Sequence, residues 1–220
     1  MPKEPAPTPR SRNPRGRGDQ LRTQILRAVE RLLGEEARMR ELSLSLREVA
    51  REVGITPPSI YLHFADKDEL AWAVVQDGYE TLADELRAAG ARAAEQSDDP
   101  FERLRAQGHA YCAFAMDNPG LSRLMFGADP LRWAPEGELD HPAAPVMQCW
   151  QETLTACARS GLVIPNDIAH AAMAYWSALH GRIVLALTYP SAQENQTIAS
   201  YVDELVDTMG ALAGPKGAAS

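Results

Sequence analysis

The chain predicts an all-α protein, on three observations. Apolar residues recur at helical spacing, as in Leu46, Val49, Ala50 and Val53 (i, i+3, i+4, i+7) and again in Leu70, Val74, Leu82 and Leu86. Strong helix formers dominate the composition, while Pro and Gly gather at the chain ends and between the periodic segments. Short polar residues stand just ahead of several periodic runs, where their side chains can take up the unpaired N–H groups of a first helical turn.

A first helix is predicted from about Asp19 to Leu33, with Ile25, Val29 and Leu32 on its inner face. A loop around Arg38–Ser43 follows. Ser45 and Glu48 form a capping box for the next helix, whose apolar face is Leu46, Val49, Ala50 and Val53. Gly54 comes directly after, where a left-handed residue ends a helix without a Cβ penalty. Thr56 opens a third helix, and Pro57 and Pro58 fit its first turn because N–H groups there have no internal acceptor. Ile60 and Phe64 point inward. Ser59, Leu62 and His63 occupy the remaining arc, with Tyr61 at its border: a helix-turn-helix that offers small, polar and aromatic side chains to a DNA groove. A plain helical hairpin is the alternative, but it gives no reason to set Tyr61, His63 and Lys67 on one polar side around two prolines.

Asp66 and Glu69 make a second capping pair, opening a long helix that continues to Gln96. Asp98-Asp99-Pro100 starts another, which ends near Asn118-Pro119-Gly120. A short helix is expected over residues 121–126, a loop over 127–145, and helices over 146–160, 167–189 and 193–212. The expected organisation is a disordered basic arm (1–18), a three-helix helix-turn-helix domain (19–70), a helical-bundle domain (71–213) and a tail (214–220).

Net charge is −8, which taken alone argues against a nucleic-acid partner. Its distribution argues the other way. Residues 1–70 hold 13 Lys and Arg against 11 Asp and Glu, whereas residues 71–220 hold 9 against 19. A basic arm and near-neutral head on an acidic body suit a DNA binder with a separate sensing or dimerising domain. Residues 1–18, with five prolines and four arginines, have little to bury. No apolar run is long enough to span a bilayer and no signal-peptide core is evident, so a cytoplasmic protein without membrane contact is expected. Cys112, Cys149 and Cys157 are read as reduced thiols. Cys149 and Cys157 lie eight apart on one helix, about 12 Å along its axis, too far to bridge. No metal-ligand spacing and no nucleophile motif is present, so neither an enzyme nor a cofactor is expected.

Gly54-Ile55-Thr56-Pro57-Pro58-Ser59-Ile60-Tyr61-Leu62-His63-Phe64, with Lys67 and Leu70, resembles the DNA-binding signature of TetR/AcrR-type regulators. Pro57 replaces a more common polar residue of that signature and removes one base-contacting side chain. Tyr175-Trp176-Ser177-Ala178-Leu179-His180-Gly181 and Asn118–Phe126 resemble a TetR-type C-terminal class with a Trp/His/Gly signature. The resemblance implies a homodimer, paired through its last two long helices, that binds a small effector inside the helical body.

The expected DNA-contacting residues are Ser45, Arg47, Thr56, Pro57, Pro58, Ser59, Tyr61, Leu62, His63 and Lys67. Lys67 stands at a helix N-terminus, where the dipole already attracts phosphate. Tyr61 and His63 can donate to phosphate oxygens. Thr56 and Ser59 are short enough to let the helix enter the major groove. Arg47 is the candidate for bidentate guanine recognition, which the resemblance supports; a surface arginine paired with a neighbouring acid is its alternative. Arg12, Arg15 and Arg17 can reach an adjacent minor groove, with a solvated tail as the favoured alternative. The expected lining of an effector cavity is His109, Cys112, Phe114, Met116, Met147, Trp150, Trp176 and His180, a set suited to a largely apolar ligand. Ala172, Trp176, Ile183 and Leu187, with Ile198, Val202, Leu205, Val206 and Met209, form stripes expected to pair two subunits, with closure of the domain's own core as the alternative. The function expected is a transcriptional regulator, a repressor released from a pseudo-palindromic operator by a small molecule. A ligand-independent helix-turn-helix scaffolding protein is the alternative.

Overall fold

Local sequence signals account for most helix boundaries. In a computed structural model that describes residues 17–36, 45–126, 141–188 and 194–212, all the regular elements among the described residues are α-helices. They are α1 (Arg17–Glu36), α2 (Leu46–Val53), α3 (Pro57–Ile60), α4 (Lys67–Gln96), α5 (Pro100–Asp117), α6 (Pro119–Phe126), α7 (Ala144–Arg159), α8 (Ile168–Thr188) and α9 (Glu194–Leu212). The expected arm up to residue 16, the loop at 38–43, most of the loop at 127–145 and the tail lie outside the described residues. Arg17 and Gly18, assigned above to the arm, begin α1 instead.

Gly54 ends α2 with φ 76° and ψ 29°, and its N–H donates to the carbonyls of Ala50 and Arg51. This is the left-handed cap that glycine adopts without strain. Asp66 caps α4 by accepting from the Glu69 N–H at 2.8 Å, and Glu69 reaches back to the Ala65 N–H, one residue earlier than a standard capping box. The Ser45–Glu48 box does not form. Ser45 is the N-cap of α2, but its hydroxyl makes no capping bond, and Glu48 turns to Arg51 at 3.9 Å.

The head packs α1 against α2 and α4 around Ile25, Val29, Val49, Ala50, Ile60, Phe64 and Leu70, all buried. Arg22 lies over the Phe64 ring at 5.2 Å and Arg31 pairs with Glu52 at 3.0 Å, tying α1 to α2 and to the segment after α3. The body is an α4–α5 hairpin completed by α7, α8 and α9. Gly108 is its tightest joint: a Cβ there would meet the Tyr175 hydroxyl at 2.5 Å and Val202 at 2.8 Å, so α5, α8 and α9 converge at this position. Tyr175 donates to the Leu104 carbonyl at 3.0 Å from the same place.

Head and body meet through α4 and through α6. A Cβ on Gly120 would stand 2.1 Å from the Leu33 carbonyl oxygen, which places the start of α6 against the α1 backbone. Gly78 of α4 likewise admits Met125 and Leu121 of α6, and the Tyr79 hydroxyl donates to the Met125 carbonyl at 3.2 Å. The division expected at residue 70 therefore falls inside α4, a 30-residue helix that serves both halves.

The dimer stripes expected on α8 and α9 are corrected at five positions, while Trp176, Leu205 and Met209 are half-buried against the core. Ala172, Ile183, Ile198, Val202 and Val206 are all buried within the single chain and close its own core. The exposed apolar residues of α8 are Met173, Val184 and Leu185, on another face. Leu187 lies outside the residues whose side chains are described. Cys112, Cys149 and Cys157 are buried thiols.

Candidate functional site

The candidate DNA-reading surface consists of α2, the Gly54 turn, the single turn of α3 and the first residue of α4. The proline pair occupies the first turn of α3, which spans only Pro57–Ile60, and residues 61–63 continue it as a turn. The buried Ile60 and Phe64 anchor this segment and turn Tyr61 (54% exposed) and Leu62 (83% exposed) outward. An aromatic ring and a leucine left this exposed form an apolar tip beside polar neighbours, a shape that suits thymine methyl groups and sugar edges. Ser59 and His63 are half-buried beside them.

The Thr56 and Ser59 hydroxyls bond each other at 2.9 Å. This pairing fixes both side chains, while each oxygen retains a lone pair to accept from a base amine. Arg47 is exposed, and no hydrogen bond or ion pair holds it among the described residues. The nearby acids are committed elsewhere, Glu48 to Arg51 and Glu52 to Arg31. Lys67 is likewise exposed and unpaired among the described residues. Its helix N-terminus, however, is already served by Asp66 and Glu69, with Asp68 beside them. Any anion attraction there comes from the ammonium group rather than from open N–H groups. Ser45 lies half-buried at the α2 N-terminus, while Pro57 and Pro58 shape the approach without a polar group to offer.

The expected cavity residues divide into three groups. His109, Cys112 and Met116 stand along one face of α5 and line an open cavity of about 340 Å³, completed by Ala113, Asp117, Ile198 and Ala199. A larger groove of about 530 Å³ continues past His109 between α4 and α5, along Ala93, Ala106 and Ala110. Burial holds the Cys112 thiol neutral, pushing it up to about 12. His109 Nε2 bonds Asp203 of α9 at 2.8 Å, and Arg105 binds Asp203 at 3.2 Å and Asp207 at 2.6 Å. Partial burial works against the Asp203 carboxylate, but the bonds from His109 and Arg105 outweigh it and keep the carboxyl below its usual range. This polar clasp joins α5 to α9 at the cavity edge.

Trp150, Trp176 and His180 form a second group, centred on Tyr111. The Trp176 indole N–H can only donate, and it meets the Tyr111 oxygen at 2.9 Å. The Tyr111 hydroxyl also lies 3.0 Å from His180 Nδ1. The consistent arrangement has Tyr111 donating to His180, with a neutral imidazole protonated at Nε2. Burial lowers the His180 pKa in the same sense. Phe126, the last residue of α6, sits edge-on to His180 at 5.0 Å and to Tyr79 at 5.6 Å. The Trp150 ring is fully buried against Tyr111 and Tyr175. Phe114 and Met147, the remaining two, pack in the hydrophobic core.

Sequence reasoning did not find Tyr111, Phe126, Arg105 or Asp203. Asp203 and Asp207 carried a usable signal, since two acids four apart on a helix can grip one guanidinium. Tyr111 carried none, because its partners come from α7 and α8.

Residues 42–74 match the family profile described as bacterial regulatory proteins, tetR family, and residues 104–209 match the tetracyclin repressor-like C-terminal domain. Among solved structures, a protein of unknown function from Rhodococcus sp. RHA1 is similar at 24% identity and TM-score 0.68, over 86% of this chain and 95% of that one. A TetR family transcription regulator from Marinobacter aquaeolei VT8 is similar at 20% identity and TM-score 0.63, over 88% and 97%. The TetR family regulator PfmR from Thermus thermophilus gives 22% and 0.59, over 83% and 97%. At these identities the likeness carries the fold.

Proposed function

Because the chain belongs to the TetR family of DNA-binding transcriptional regulators, we propose that it is a homodimeric repressor released from a pseudo-palindromic operator by a small molecule. The observation that carries this reading is the continuity of α4. Its first residue, Lys67, belongs to the reading surface, and its later turns pack against α5, whose outer face lines the cavities. In this reading residues 57–63 enter the major groove, with Arg47 and Ser59 on base edges and Tyr61, His63 and Lys67 on phosphates.

The exposed Met173, Val184 and Leu185 of α8 support pairing of two subunits through that face. Two heads related by a two-fold axis read half-sites 10–10.5 bp apart, or a multiple of it. An effector held in the body alters the spacing of the heads and lowers operator affinity. Cavities along α5 support this reading over a ligand-independent one. The protein acts by binding rather than by catalysis, in the cytoplasm where its operator lies; among the described residues no helix is long and apolar enough to cross a membrane.

Selecting bound fragments from the source genome with the full-length protein tests the reading. Enrichment of inverted half-sites at that spacing is expected. Fragments sharing no inverted repeat would overturn it.

A further inference from the structure

We propose that the cavity between α5 and α9 takes an amphipathic amine, its ammonium group against Asp117 and its apolar body on Cys112, Met116 and Ile198. This rests on the effector-binding reading above and assigns the chemical class of the ligand. The floor of the cavity is aliphatic carbon and sulfur, from Cys112, Ala113, Met116, Ile198 and Ala199. Two polar groups stand on its walls, His109 and Asp117.

Of the two, Asp117 presents the free acceptor. His109 spends Nε2 on the Asp203 carboxylate, which can only accept, so that nitrogen carries a proton and is not offered to a ligand. Asp117 is exposed, and no cation pairs with it among the described residues. Glu85 of α4, pushed up by burial, is pushed further by the charge of Asp117. Asp117 and Glu85 thus set two carboxyl groups on this side of the body. A carboxylate above an apolar floor matches a cationic donor on an apolar body. A volume of about 340 Å³ sits at the small end of ligand cavities, which limits the guest to one short chain or a ring or two.

Calorimetric titration of the full-length protein with octylamine, 1-octanol and octanoate, each below its micellar concentration, tests the assignment. Octylamine is expected to bind about tenfold tighter than 1-octanol, the size of one charge-assisted hydrogen bond, and octanoate weakest. Asp117→Asn should bring the amine and the alcohol to similar affinity by weakening the amine alone. Ala113→Leu, which fills the cavity from an exposed position, should remove both. Equal binding of amine and alcohol to the wild-type protein, an amine preference that survives Asp117→Asn, or no binding of either would overturn the proposal. A mobility-shift assay on selected operator DNA separates the two claims. Octylamine that binds at Asp117 without releasing DNA leaves the cavity assigned and removes the effector reading. Release by another compound that ignores Asp117 does the reverse.

Discussion

At the scale of single residues, Lys67 and Arg47 are both exposed cations with no partner among the described residues, yet they stand on different parts of the reading surface. Lys67 heads α4 among three carboxylates, so only its ammonium is offered, as a point charge for phosphate. Lys67→Ala should therefore weaken binding to all DNA sequences alike and reduce the salt slope by about one unit. Arg47 heads the supporting helix with a planar fork. Arg47→Ala should cost about 1–3 kcal/mol at one base pair per half-site and leave the others unchanged. Affinities measured across a panel of operator variants and salt concentrations distinguish the two outcomes; a uniform loss for Arg47→Ala would move it to the backbone contacts. Much of this surface was legible in the sequence because the determinants are local. Gly54, Asp66 with Glu69, and the proline pair each fix a backbone turn within four residues. The Ser45 capping box fails for a related reason: it needs both side chains in one rotamer, and Glu48 has Arg51 as a competing partner.

At the scale of elements, α6 is the piece wedged between head and body. Gly120 lets it touch the Leu33 backbone, where no flexible side chain could give way. Gly120→Ala should push α6 from α1 and destabilise the protein by about 1–3 kcal/mol. Gly34→Ala, at a helical position with no atom within 4 Å of the added Cβ, should instead stabilise by about 0.5–1 kcal/mol. Thermal unfolding of the two variants compares them directly, and equal effects would deny the close contact.

The other end of α6 reaches His180 through Phe126. His180 has a folded pKa below its ordinary 6.5, chiefly through burial, so the folded state resists protonation more than the unfolded chain does. Its contribution is complete above pH 6.5 and is lost as pH falls from there towards the lowered folded value. Denaturant unfolding between pH 7.5 and about 5 should show this loss in the wild type and its absence in His180→Gln, with other titrating groups cancelling in the difference. A constant difference across that range would refute the neutral, Tyr111-bonded imidazole. The helices themselves were readable from periodicity, but the role of α8 was not. Residues 168–188 carry Arg182 as their one Lys, Arg, Asp or Glu, so the helix is apolar nearly all round and its pattern cannot say which face is core. The packing decides it: Ala172, Leu179 and Ile183 go inward, and Met173, Val184 and Leu185 outward.

At the scale of the whole molecule, the acidic body and the near-neutral head are joined by one continuous helix and by the α1–α6 contact. The Tyr111 cluster and the α5–α9 clasp were not legible in the sequence, because each gathers side chains from helices far apart along the chain. Their position between cavity and joints has a thermodynamic consequence. A ligand shifts an equilibrium between two arrangements only by its differential affinity for them. If an effector lowers operator affinity by some factor, operator DNA must lower effector affinity by that same factor, in a coupling typically of about 1–3 kcal/mol. Trp176 lies beside Phe126 and Tyr111, close enough for its fluorescence to report a rearrangement of α6. Titrating an effector against the protein alone, and against the protein saturated with operator, should give two affinities whose ratio equals the loss of DNA affinity measured separately. The same affinity in both titrations would mean that the cavity and the reading surface are uncoupled, and that the chain binds DNA without regard to what its body holds.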